Sequence, residues 1–188
     1  MPSQDFLHFQ LGKTYFEGSP DAATDGEAIL GEEIEVRHSS GRMTTYRIVR
    51  NSAGIAVLPK RLAVLNATGT AITGYARLPS DRGVPIDSAL PTAGCATNDI
   101  CLVAVKGPAI ALTDLADYAA DLAAGDWLTS QTAATSQATT AGRIKLRTVS
   151  SSVTANMTET DGVFARAIST ALTNDTNTDV LIDVGAIW

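Results

Sequence analysis

From residue 32 onward the chain alternates between apolar and polar positions. Ile34 and Val36 are interleaved with Glu33, Glu35 and Arg37, Ser39-Ser-Gly41 supplies turn residues, and Thr44, Tyr46 and Ile48 are interleaved with Thr45 and Arg47. A period of two on both sides of a glycine-containing break predicts a β-hairpin with one face turned to a core. Asn51-Ser-Ala-Gly54 interrupts the pattern, and short apolar runs follow at 55–58, 62–65 and 72–76. Residues 79–98 read as loop, carrying Pro79, Pro85 and Pro91. A continuous apolar run at 100–105 predicts a buried strand that stops at Gly107-Pro108. Further strands are expected over 143–149, 163–168 and 180–184.

Two stretches depart from this period. In 113–125, Leu115, Tyr118, Ala119 and Leu122 share one helical face, Thr113 or Asp114 can cap the start, and Gly125 can end it. That spacing predicts one short helix. Residues 129–141 are almost entirely Ser, Thr, Ala and Gln, which predicts a pair of weak, solvent-exposed strands or a surface loop. Many short strands separated by turns predict an all-β protein, a compact β-barrel or β-sandwich with one short helix. No fixed-period repeat is present.

The beginning of the chain differs from the rest. Four of its ten aromatics, Phe6, Phe9, Tyr15 and Phe16, fall in the first sixteen residues. Leu7, Phe9 and Leu11 alternate as in an extended segment with one apolar face. The division expected is therefore an N-terminal arm or first strand over 1–31 and a barrel or sandwich body over 32–188. These aromatics pack either on the protein's own core or on a neighbouring subunit. Together with Trp188 they are the candidate contacts to a neighbouring subunit or other partner surface, because aromatic anchors dominate interface energetics.

Composition narrows the functions open to such a body. The 188 residues carry a net charge of −6, and the 14 Lys and Arg are spread along the chain, with Lys60-Arg61 the one adjacent pair. Phosphate recognition needs clustered cations, so nucleic acid is not an expected partner. The densest basic group, Arg143-Ile-Lys-Leu-Arg147, alternates with apolar residues as a half-buried strand does. No apolar run approaches the roughly 20 residues that span a bilayer, and the first residues lack the pattern of a secretory signal. A soluble protein made in the cytoplasm is expected, with Cys95 and Cys101 as two small buried or semi-buried thiols.

Searches for chemistry return little. Gly12-Lys13-Thr14 lacks the upstream glycine of a phosphate-binding loop, since Leu7 stands there. The two histidines, His8 and His38, sit in no recognisable triad, and His38 reads as an ordinary half-exposed residue at a strand end. Asp175, Asn177 and Asp179 imitate the start of a calcium loop, but Val180 replaces its glycine and Ala186 its glutamate. A turn rich in Asn, Asp and Thr accounts for them. Asp114, Asp117, Asp121 and Asp126 read as the solvated face or end of the expected helix. No catalytic residue, cofactor or metal site is expected.

Several stretches, in order, resemble small tailed-phage head proteins of the decoration or cement type. Thr45-Tyr-Arg-Ile-Val-Arg-Asn-Ser-Ala-Gly54 followed by Leu58-Pro-Lys-Arg-Leu62 is similar to their opening hairpin, with Lys60 in place of the usual glycine. Asn98-Asp-Ile-Cys-Leu-Val-Ala-Val-Lys-Gly-Pro108 resembles the strand ending in Gly-Pro. Leu122-Ala-Ala-Gly-Asp-Trp-Leu-Thr129 resembles the turn before a Thr/Ala-rich strand. Asp161-Gly-Val-Phe-Ala-Arg-Ala-Ile168 and Val180-Leu-Ile182 resemble the closing strand pair. The resemblance spans 45–184. It implies a homo-oligomer, often a trimer, on the outer surface of the capsid, with the major capsid protein as partner and no catalytic residues. The other readings are a tail or baseplate β-domain, or a carbohydrate-binding module using Tyr75, Tyr118 and Trp127.

Overall fold

The computed structural model describes residues 30–114, 121–131, 133, 141–147, 163–171 and 176–185. The expected hairpin is present as β1 (Glu33–Arg37) and β2 (Met43–Asn51), antiparallel with Glu33 opposite Arg47 and Arg37 opposite Met43. The turn is closed by the amide of His38 donating to Arg42 O, with Gly41 in the left-handed region at φ 81°. β1 keeps its charged residues outward, exposed at Glu33, Glu35 and Arg37 and half-buried at Ile34 and Val36. Charges along an outer strand discourage pairing with foreign strands.

The other elements are β3 (Leu62–Leu65), β4 (Ala71–Tyr75), β5 (Val84–Pro85), β6 (Ile100–Asp114), β7 (Trp127–Ser130), β8 (Ile144–Leu146), β9 (Ala165–Ala167) and β10 (Thr176–Val184). β6 organises them. Its second half pairs with β10 on one side and, in parallel, with β8 on the other; β8 continues to β7, β7 to β9, and β9 back to β10. This closes a five-stranded mixed barrel. Its first half pairs with β2, which leads through β4 and β3 to β5. That second sheet curls until Ile86 bridges Val103. The core runs through both parts, with Ile48, Leu62, Ile72, Leu102, Leu128 and Ile182 among its fully buried side chains.

β6 does not stop at Gly107-Pro108, as the sequence suggested. At Lys106 the register against β2 slips by one residue, Gly107 takes φ 86°, and the strand leaves β2 to run beside β10. The Gly-Pro pair is a corner where one strand changes partners, a use that glycine and bulges have in barrels. Pro108 has no N–H to give the ladder, but its carbonyl accepts from Thr44 Oγ1 at 2.5 Å.

Four further expectations change. Thr113 and Asp114, the proposed helix start, belong to β6, while Leu122 bridges Ala171 and Ala123–Asp126 form a turn. No helix occurs among the described residues, and 115–120 lie outside them. Thr129, Ser130 and Gln131 are buried rather than solvent-exposed, because β7 lies inside the closed ring. Residue 132 and residues 134–140 lie outside the description. Arg143 and Lys145 are buried together with Ile144 instead of facing water. Both faces of β8 are covered, since Gly142 is bonded to the backbones of Leu62 and Ala76 in the second sheet. Asn177 and Asp179 fall within β10, with a bulge between Thr176 and Thr178, not in a turn.

Lys60 repays a test. It occupies the left-handed region at φ 65°, the conformation glycine adopts without a steric penalty, and its Nζ pairs with Asp179 Oδ2 at 2.5 Å. Both partners are partly solvated, so the pair adds little. Lys60→Gly and Lys60→Ala both remove the pair, yet only alanine keeps the strained Cβ. Chemical denaturation is expected to find the glycine variant more stable than the alanine variant by about 1 kcal/mol. Equal stabilities would mean that the turn relaxes.

Candidate functional site

The contact residues expected from the sequence, Phe6, Phe9, Tyr15, Phe16 and Trp188, all lie outside the described residues. What the structure does build is a cleft of about 550 Å³ where the β1–β2 turn, the loop after β5, the corner of β6 and the facing part of β10 meet. Its apolar wall comes from Val36, Pro108, Ala109, Ile110, Ile168 and Leu181, and its polar groups are His38, Ser40, Arg42, Tyr46, Asp87 and Ser88.

Strand alternation explains the wall. Val36 stands opposite Thr44 and Ile34 opposite Tyr46, so Val36 and Tyr46 are diagonal neighbours on one face, and Leu181 stands opposite Ile110 on the outer face of the β6–β10 pair. Leu181 remains 38% exposed, a large apolar side chain left uncovered at the cleft.

The polar groups have defined states. Thr44 has a single hydroxyl hydrogen, given to Pro108 O, so its oxygen accepts at 2.6 Å from His38 Nε2. The neutral His38 ring is thereby the Nε2–H tautomer, with Nδ1 as acceptor. Asp87 is only 4% exposed. Its amide donates to Leu102 O at 3.0 Å, which fixes the loop on β6, and its Oδ1 accepts from the amide of Ala89 at 3.1 Å. Burial lifts the Asp87 carboxyl to about 6, against the opposing pull of the Ala89 N–H. Burial, and then the Asp87 charge, raise the Tyr46 phenol above its ordinary value.

His38 is held by a threonine that is itself committed to a carbonyl, and the described hydrogen bonds join no nucleophile to it. Among the described residues no group of three or more His, Cys, Asp or Glu is placed to hold a metal ion. Cys95 and Cys101 are free, buried thiols, as expected. Hydrogen bonding to Cys95, followed by burial, holds the Cys101 thiol well above its usual range, so it is a poor thiolate nucleophile. Of the aromatics considered for sugar binding, Tyr75 is buried with its hydroxyl accepting from Leu58 N, and Trp127 is covered by Arg166 at 4.3 Å. Tyr118 lies outside the described residues.

Sequence reasoning missed Asp87. It stands alone in a proline-containing loop, and the pairing of Ile86 with Val103 and of its own amide with Leu102 O brings it over the hairpin. His38 was correctly read as half-exposed, without any sign of the cleft beside it.

The state of Asp87 makes a pH prediction. Its folded pKa is raised from 3.8 to about 6, so the folded protein keeps this proton to higher pH than the unfolded chain does. The stabilising contribution is therefore complete below about pH 4 and lost as the pH rises through 6. Asp87→Asn retains the acceptor for Ala89 without the charge. At pH 7 it is expected to stabilise the fold by about 2 kcal/mol, and the gain should vanish near pH 3.5. Thermal unfolding of both proteins at the two pH values measures this.

Neither a protein-family model nor a curated protein matches the chain.

Proposed function

We propose that the protein is a non-catalytic structural component of a tailed-phage virion. In this reading it binds the outer surface of the assembled capsid, as a homo-oligomer with a trimer favoured, and stabilises the shell by bridging capsomers. Support comes from the ordered resemblance over 45–184 together with the all-β barrel. The stretches that carry the resemblance fall on β2, the turn before β3, β6, the turn into β7, β9 and β10.

One observation carries the most weight. Lys60, which replaces the family's usual glycine, keeps the backbone conformation that a glycine would take, at φ 65°. A glycine would be accommodated at this position without strain, which supports the resemblance even where the sequence departs from it. Asn51-Ser-Ala-Gly54 likewise has a physical basis, because Asn51 Oδ1 accepts from Ala53 N at 3.0 Å and Gly54 takes φ 73°.

A bracing role needs area and repetition rather than a reactive centre. A module that touches several capsomers gains avidity only when the lattice presents them together. Net charge −6 keeps it from competing for the packaged nucleic acid. A tail or baseplate position is the alternative virion role; a glycan-binding role draws no support from Tyr75 and Trp127.

Co-sedimentation with expanded, empty capsids tests the proposal. Saturable binding to assembled shells, with none to unassembled capsid protein, is the expected outcome. Failure to bind any assembled shell would overturn it. Sedimentation equilibrium distinguishes a trimer from a monomer.

A further inference from the structure

We propose that β1 pairs with β1 of a second copy of this chain, antiparallel about a two-fold axis at Val36. This contact between copies goes beyond shell binding and does not depend on it. Among the described residues β1 pairs with β2 alone, and Glu33, Glu35 and Arg37 are exposed along it. Ile48 N donates to Glu32 O and His38 N to Arg42 O, so the even-numbered residues of β1 bond to β2. The N–H and C=O groups of Glu33, Glu35 and Arg37 therefore point to the outer edge, where an added strand would meet them.

Charge selects both the partner and the register. Two antiparallel copies of Glu33-Ile-Glu-Val-Arg37 can be centred on any of the five strand residues. Centred on Glu33, Glu35 or Arg37, a charged residue meets itself. Centred on Ile34, Glu33 and Glu35 oppose each other twice. Centred on Val36, each Glu35 meets an Arg37 and no like charges are opposed. Glu33 then stands opposite the uncharged Ser39 of the second copy and keeps its ion pair with Arg47. Opposite charges facing each other across two strands stabilise the pairing, and like charges oppose it.

The two faces of the joined strands differ. Glu35 and Arg37 of both copies lie together on one, and on the other the two Val36 side chains, which line the cleft in each copy, meet at the axis. The charges that turn unrelated strands away thus admit one partner in one register. A two-fold contact is self-complementary and closes on a pair. Where copies also meet about a three-fold axis on another face, it links one trimer to the next. The strand is short, so the contact gains most where other contacts already hold the copies together.

Sedimentation velocity of the full chain at concentrations up to about 1 mM tests this. The unaltered protein is expected to self-associate. Glu35→Arg or Arg37→Glu alone makes both cross-strand pairs like-charged and should weaken association at least about tenfold. Combining the two substitutions restores opposite charges in exchanged positions and should recover association to within about threefold. An equimolar mixture of the two single variants should associate where neither does alone. Both side chains are exposed, so the fold is not at stake in these variants.

A cysteine placed at the axis reads the register. Val36→Cys treated with oxidised glutathione should give a disulfide-linked pair of chains. Ile34→Cys should not, because its two copies would stand about 13 Å apart along the strands. The native thiols, Cys95 and Cys101, are buried and do not compete. A protein that stays monomeric throughout, an oligomer indifferent to either charge reversal, or no recovery in the double variant would overturn the proposal, as would equal cross-linking through both cysteines. No capsid enters these measurements, so their failure leaves the shell-binding proposal to its own test.

Discussion

Gly107→Ala is expected to cost the fold about 3 kcal/mol or more, a large fraction of the 5–15 kcal/mol that holds a typical domain together. A Cβ at this position would lie 2.2 Å from Met43 O, and the backbone there has φ 86°. Both the left-handed strain and the collision with a neighbouring backbone oppose the substitution. The collision falls where β6 leaves β2 for β10, so the ladder on either side cannot move away without opening the corner. Gly41→Ala is the control: its φ is 81°, but nothing lies within 4 Å of the added carbon. It should lose only the conformational part, about 1 kcal/mol. Urea denaturation of the two variants isolates the close approach as the difference between them. If both lost the same amount, β6 would not be pinned to Met43 at the corner.

Asn51→Ala is expected to destabilise by about 3 kcal/mol, although it removes only the three heavy atoms of a carboxamide. Asn51 ends β2 with no exposed surface. Its Nδ2 donates to Ile55 O at 2.7 Å and Cys95 O at 2.8 Å, and its Oδ1 accepts from Ala53 N at 3.0 Å. Its backbone accepts from Asn98 N and donates to Asp99 O. One side chain thus holds the turn after β2 against the loop that leads into β6. Alanine leaves the half-buried Ile55 carbonyl and Ala53 amide without this partner and removes one of the bonds to the buried Cys95 carbonyl, and a buried group left unpaired costs about 1–3 kcal/mol. Asn51→Asp separates donor from acceptor. It still serves Ala53 N but turns a carboxylate oxygen toward two carbonyls, so it should be at least as damaging at pH 7 and recover partly on acidification. Recovery of full stability by the aspartate at pH 7 would show that the two donated bonds contribute little.

The contrast between these two residues explains how much of the fold was legible in the sequence. Asn51-Ser-Ala-Gly54 announces a turn because its chemistry is local, with a side chain bonding its own backbone two residues on. The β1–β2 hairpin was legible for the same reason, since its register is set across a short turn. Gly107-Pro108 was misread as a stop because its meaning depends on β10, a strand remote in sequence. Burial of Thr129, Ser130, Arg143 and Lys145 also follows from ring closure, which no local period records. The cleft was invisible on the same grounds. Asp87 meets the hairpin and the β6 corner only through tertiary pairing, and alone in a loop it has no pattern to distinguish it. The aromatics of the first sixteen residues, so prominent in the sequence, lie outside the described residues.

The division of β6 between two sheets also imposes an order in time. Ile100–Lys106 can pair with β2 as soon as it leaves the ribosome, because β2 has already been made. The second half must wait for β10, on the order of seventy residues further along the chain. At roughly 5–20 residues per second, that interval lasts roughly 4–14 s. Throughout it the nascent chain carries Ala109 and Ala111 on a strand whose backbone has no β10 partner. Such an edge invites pairing between chains being made side by side. Slower synthesis between β6 and β10 is therefore expected to lower soluble yield without any change in the stability of the finished barrel.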